Sequence, residues 1–196
     1  MEGVGVRRNE EDFNEIVRRL RSGDRVLGEA VKRELQSLAV PRKRAESLLE
    51  PGKDWYLIRV ELTSGRGEDF DPPAGRAFLV SPRHTFRQLA EAINAAFARW
   101  DLGHLYVFRL PDGSRIGTAF GDATEQAAAR TKVAKRLEGE VFDYEFDFGD
   151  SWEHRCTVLE TGVVPEDAYG VRPKGPVAVW GWGMIPDQYG RTTPEG

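Results

Sequence analysis

The chain has few of the residues from which disulfide- or metal-built proteins are assembled. A single cysteine, Cys156, stands among 196 residues, which excludes an internal disulfide and every cysteine-cluster zinc site. Histidine is scarce too, with three residues in all: His84, His104 and His154. No stretch approaches the ~18 consecutive apolar residues of a membrane helix, so no membrane partner is expected. There is no signal-like apolar run near Met1, and with the lone thiol this points to a reducing cytoplasm. Charge of one sign is also missing. The 28 Lys and Arg against 32 Asp and Glu leave −4, and residues 1–50 alone carry 11 against 10, or +1. Neither balance is the basic footprint that neutralises phosphates. Phosphate loops, nucleophile elbows and zincin helices are absent. Asp147-Phe148-Gly149 spells a kinase metal-binding triplet, but no glycine-rich or catalytic loop accompanies it.

What remains is a chain long enough for one domain plus an extension. At this length about 70% of the unfolded surface can be buried without help from metal or disulfide. Residues 1–50 pattern as short helices. Phe13, Ile16, Val17 and Leu20 form an apolar stripe. Asp24 is placed to cap a second helix with Leu27, Ala30, Val31 and Leu35, and Pro41 suits the first turn of a third. The spacing fits either a helical extension packed on the main domain or a helix-turn-helix. Arg42-Lys43-Arg44 is most simply a solvated basic face.

Pro51-Gly52 marks the boundary to a main domain over residues 51–196. Residues 54–63 alternate, with Tyr56, Ile58, Val60 and Leu62 forming one fully apolar face of a strand. A polar loop through Pro72-Pro73 and a short strand at residues 77–80 follow. Thr85 and Gln88 make a capping box for a helix whose core face is Phe86, Leu89, Ala90, Ile93, Phe97 and Trp100. Residues 104–110 suit a central strand, and Asp112-Gly113 a tight turn into a return strand at 115–118. Residues 122–137 are alanine-rich and helix-prone. Trp180 and Trp182 share a face if extended, either as a stacking platform or as a cap on the sheet. Together these elements predict an α+β fold: a mixed or antiparallel sheet with packed helices and an N-terminal helical extension.

Chemistry concentrates at residues 142–154, FDYEFDFGDSWEH, where thirteen positions hold five acidic residues, four of the fifteen Phe and Tyr, a Trp and a His. Two strands joined by an odd-numbered loop put every apolar side chain on one side, as register specification demands. A loop over residues 149–151 would pair Phe148 with Trp152, Phe146 with His154 and Tyr144 with Cys156. Outside, Glu145 would then meet Arg155, while Asp147 would meet Glu153 as an unfavourable like-charged pair. Asp147, Asp150 and Glu153 could converge on Mg²⁺ or Ca²⁺, which take oxygen ligands, accept a basic partner residue, or splay into water. Asp150 also suits an Asx-type turn. His154, facing inward, reads as a core imidazole bonded to a carbonyl or carboxylate, or else as a ligand. His104 has the same two readings. Cys156 reads as a small, inert core residue.

This stretch resembles the plasmid Ri ORF-three-like family, in which an aromatic strand runs into DFGD, with a Trp and a His two apart. Tyr144, Asp147, Phe148, Gly149, Asp150, Trp152 and His154 match, as do the helix TFRQLAEAINAAFARW and the following HLYVF. The resemblance covers about residues 54–190. Two departures stand out. Tyr106 occupies a place where members commonly have a second His. Pro165, Glu166, Asp167 and Gly170 fit a Pro-Glu-Asp-Cys-Gly-Gly type of segment, but Ala168 and Tyr169 replace its Cys and first Gly. A metal role that needs that His or thiol is therefore disfavoured. The resemblance implies a bacterial or archaeal passenger protein of plasmids or insertion elements, with no established reaction.

Two functions follow as expectations. One is a cytoplasmic, non-enzymatic module binding a protein or nucleic-acid partner through Asp147, Asp150, Trp152, Glu153, His154 and His104. The other is a divalent-metal hydrolase built on the acidic hairpin. The residues specify no cofactor, no particular metal and no oligomeric state.

Overall fold

The computed structural model describes residues 55–118, 125–134, 136–166, 170 and 172–191. The helices expected over residues 13–49, and with them the proposed extension, lie outside the described residues. The fold is mainly β, not a sheet with packed helices. A single sheet has the strand order β5-β4-β3-β6-β7-β1-β2-β8. The strands are β1 Trp55–Gly65, β2 Glu68–Val80, β3 Tyr106–Arg109, β4 Arg115–Gly117, β5 Glu125–Ala127, β6 Val141–Phe146, β7 Trp152–Val163 and β8 Val177–Trp182. All neighbours are antiparallel except β4 and β5. Among the described residues one long helix, α1 (Phe86–Ala96), covers the sheet.

The α+β expectation fails at identifiable places. The described part of the alanine-rich run at 122–137 is the short edge strand β5 and turns rather than a helix. Helix propensity is a weak prior, and pairing with β4 overrides it there. The expected short strand at 77–80 is the end of a thirteen-residue strand that runs through the supposed loop. Two prolines are tolerated because the β1–β2 register jumps from Leu62↔Ala74 to Ser64↔Asp69. The jump places Phe70–Pro73 opposite Thr63 in a bulge that asks no ladder donation from them.

Alternation along β1 puts Tyr56, Ile58, Val60 and Leu62 into the core under α1, and the same core takes Phe78, Phe108, Phe142, Tyr144, Phe146, Trp152 and Cys156. Trp55, Leu57, Ala77, Leu79 and Trp182 build a smaller cluster on the opposite face. Trp182 is buried against Gly75, where an added Cβ would stand 2.1 Å from its ring. Its neighbour Trp180 is half-buried.

Helix α1 begins as its capping box requires. Gln88 N–H donates to Thr85 Oγ1 at 3.2 Å, and Thr85 N–H donates to Gln88 Oε1 at 2.9 Å. It ends one turn sooner than its stripe suggests. Ala98 takes a left-handed φ of 53°. Arg99 N–H then donates to Asn94 O at 2.8 Å and Ala98 N–H to Ala95 O at 3.3 Å. This is the Schellman closure with alanine in the usual glycine position. It ejects Trp100 from the core face, leaving it 50% exposed, and turns Arg99 inward instead, 3% exposed.

Candidate functional site

The β6–β7 hairpin keeps the expected odd parity but not the expected pairing. Its loop holds five residues, Asp147–Ser151, so Phe146 faces Trp152, Tyr144 faces His154 and Phe142 faces Cys156. Phe146, Tyr144, Trp152, His154 and Cys156 all emerge on the buried side. The shift by two residues places Phe148 in the loop, exposed. The loop needs those extra residues because Asp147 and Ser151 both take left-handed backbone (φ 59° and 51°), and Ser151 N–H closes onto Asp147 O at 2.6 Å.

Outside, the like-charged pair is Glu145 with Glu153 rather than Asp147 with Glu153, and Arg155 stands opposite Asp143. The two glutamates look away from each other. Glu145 is paired with Arg109 and accepts from Ser151 Oγ at 2.8 Å, while Glu153 accepts from Ser64 Oγ at 3.4 Å. The Asx turn belongs to Asp147, not Asp150: its Oδ1 accepts from Gly149 N–H at 3.0 Å. Asp150 looks toward Arg66, 4.0 Å away. Among the described residues no group of three or more His, Cys, Asp or Glu is placed to hold a metal ion.

What the loop does assemble centres on His104. The second oxygen of Asp147, a buried residue, lies 3.2 Å from His104 Nδ1. On the other side of the ring, Nε2 is 3.0 Å from Tyr189 Oη, and that hydroxyl donates to Asp101 Oδ2 at 2.6 Å. The bond from Tyr189, followed by one from Gly103 N–H, holds the Asp101 carboxyl below its usual range. The same bond pushes the Tyr189 phenol up to about 12. A chain of carboxylate, imidazole, phenol and carboxylate results, half-open to solvent at His104 and able to grip a polar partner group. Tyr189 and Gln188 escape sequence reasoning because they sit in a polar tail without periodicity. Gln188 is fully buried, and its amide accepts from Trp100 and Asp101 N–H and donates to Asp101 O. That clamp holds residues 187–189 against His104.

His154 and Trp152 belong to another environment. Trp152 is 1% exposed and lies on Gly65, where a Cβ would approach its ring to 2.1 Å. His154 is enclosed by Phe97 and Tyr144, with ring centroids 4.8 and 5.4 Å away. Its Nδ1 is 3.1 Å from the Trp152 carbonyl. Burial, then the nearby Arg99 charge, push the His154 pKa down to about 3 against the opposing pull of the Tyr144 and Trp152 carbonyls. Burial likewise drives the Cys156 thiol far above its ordinary range, as an inert core residue requires. Tyr106 packs on Tyr144, with ring centroids 6.0 Å apart.

Fold and site together define a single-sheet, mainly β domain with one histidine network at its rim and a second histidine sealed in its core. The chain belongs to the plasmid pRiA4b ORF-3-like protein family, whose model matches residues 55–181. Among solved structures it is similar to a protein of unknown function from Methanosarcina mazei Go1. That match has 25% identity and a TM-score of 0.54, and covers 67% of this chain and 70% of the other. No curated protein matches it. Among the described residues no helix is long and apolar enough to cross a membrane.

Proposed function

We propose that the domain is a non-enzymatic binding module that takes a protein partner at the rim formed by the β6–β7 loop, residues 100–104 and Tyr189. The observation that supports it is three large apolar side chains left in solvent around the His104–Asp147 pair: Trp100, Leu102 at 58% and Phe148 at 46% exposure. Aromatic anchors beside a polar group are the usual composition of a protein-binding patch. Asp101, Asp147 and Asp150 share this rim, and their charge disfavours a phosphate backbone. A cytoplasmic setting and a role in mobile-element biology go with this reading through the family's plasmid description. A metal hydrolase on Asp147, Asp150 and Glu153 is not carried further, because each carboxylate turns to a different partner.

The test is quantitative capture from a bacterial lysate with the full chain, with a Trp100→Ala/Phe148→Ala variant and with a Leu137→Ala variant at a distant exposed site. The double variant is expected to lose the partner while Leu137→Ala keeps it. An unchanged capture profile for the double variant removes the reading. A random DNA duplex at low salt is expected to give a flat titration; binding that falls steeply with salt transfers the reading to nucleic acid.

A further inference from the structure

Three buried polar groups on the helix-covered side of the sheet lack hydrogen-bond partners. Arg99 Nη2 donates to Pro186 O at 3.2 Å, but Nε and Nη1 have no acceptor. Trp152 Nε1 and His154 Nε2 have no partner either. All three side chains are at least 97% buried, and orphaned polar groups at that depth are rare in folded proteins because each forfeits its hydration.

They are also neighbours. The guanidinium carbon of Arg99 lies 3.8 Å from the Trp152 ring centroid, and the Arg99 charge acts directly on His154. Trp152 and His154 stand two apart on β7, on the same face, which separates them by roughly 6–7 Å along the strand. Among the described residues Arg99 has no carboxylate within ion-pair distance. Asp187 stabilises it from farther off, but Asp187's own oxygens accept from Arg191 and from Tyr189 N–H. A buried cation without a paired anion is costly to the fold.

Polarity sorts the group further. His154 Nδ1 faces a carbonyl, which can only accept, so the neutral ring carries its proton there and Nε2 presents a lone pair. The cluster therefore offers N–H donors from a cation and an indole, plus one bare acceptor.

We propose that Arg99, Trp152 and His154 form a site for a small oxyanion of the phosphate class that retains a proton. Its ionised oxygens accept from Arg99 and Trp152, and its hydroxyl donates to His154 Nε2. Sulfate and carboxylates carry no such proton at neutral pH and leave Nε2 unpaired, so both bind more weakly, by roughly tenfold or more. The site lies in the core and stands independently of the rim proposed above.

The experiment titrates the full chain with inorganic phosphate at constant ionic strength, with sulfate and acetate alongside. Readouts are the melting temperature and the Trp152 indole N–H resonance, identified by its loss in Trp152→Phe. Phosphate at millimolar concentration is expected to raise the melting temperature and move that resonance, with sulfate far weaker and acetate inert. Arg99→Met is expected to abolish the response. Glycerol phosphate run in parallel separates the two sources of this chemistry: a response to inorganic phosphate alone assigns the free ion, and a stronger one to the ester assigns a phosphomonoester end. An indole resonance unmoved by saturating phosphate overturns the proposal whether or not Arg99→Met folds. Equal responses to phosphate and sulfate overturn it as well, since the hydroxyl contact would then be absent.

Discussion

His104 and His154 sit at opposite ends of the same idea. His104 lies at the rim with an oxygen against each ring nitrogen, Asp147 on one side and Tyr189 on the other. His154 lies in the core with a carbonyl on one nitrogen and nothing on the other. One hairpin determines both surroundings: its loop delivers Asp147 to the first, and its inner face buries the second. The difference teaches that the two histidines part by where the hairpin meets them: its loop offers His104 a carboxylate at the half-exposed rim, while its inner face seals His154 among aromatic rings.

The largest effect expected from breaking the core side of this comparison is Trp152→Ala. Removing so completely buried an indole costs about 3–5 kcal/mol, measured in urea melts. A loss below about 1 kcal/mol would mark Trp152 as a surface residue. Gly65→Ala attacks the same contact from below. Its Cβ would meet the Trp152 ring at 2.1 Å, and overpacking of that kind costs about 1–3 kcal/mol. A neutral outcome in the same melts would mean that the indole does not rest on Gly65.

Acid should tell the core histidine from an exposed one. The folded-state pKa of His154 is depressed to about 3 by burial and Arg99. Below the unfolded value of about 6.5 the unfolded chain therefore takes up a proton that the folded chain refuses. Stability is full above that pH and falls by about 1 kcal/mol per pH unit as pH drops toward 3. His84, lowered to about 4 mainly by burial, adds in the same direction. His154→Leu should reduce the slope between pH 6.5 and 5, where carboxylates contribute least. A wild-type stability that is flat over that window contradicts a buried, neutral His154.

The smallest change concerns how Arg99 is aimed. Ala98 holds a left-handed φ of 53°, a conformation that costs a residue with a Cβ roughly 1–2 kcal/mol. Ala98→Gly is expected to stabilise the domain by somewhat less than that, because glycine also loses more freedom on folding. Marked destabilisation in a denaturant titration would mean that the helix does not end in this turn.

Much of this geometry was legible from local rules. The alternation at Tyr56–Leu62, the Thr85–Gln88 box, the turn at Asp112-Gly113 and the inward aromatics of the hairpin each follow from a short-range pattern, and each is present. Where the structure departs from those patterns, long-range or backbone terms decide. Alternation alone points the Phe148 ring inward, but a five-residue loop with two left-handed residues places it outside. The apolar stripe of α1 runs on to Trp100 in the sequence, but the closure at Ala98 exchanges Trp100 for Arg99 at the core. Residues 122–137 have helical composition, yet pairing with β4 takes three of them as strand. At the candidate sites, His104, Asp147, Trp152 and His154 could be singled out by their clustering and rarity. Arg99, Gln188 and Tyr189 could not, since no sequence pattern announces a buried arginine or a tail folded back on a helix end.

Nitrogen-15 spectra of the imidazoles across an acid titration test most directly whether both arms of the hairpin turn their aromatic residues inward. The account predicts that His154 stays neutral from pH 7 to 4.5, with its proton on Nδ1 and a bare Nε2. A His154 that gains its second proton between pH 7 and 6 would place that ring in water and contradict it.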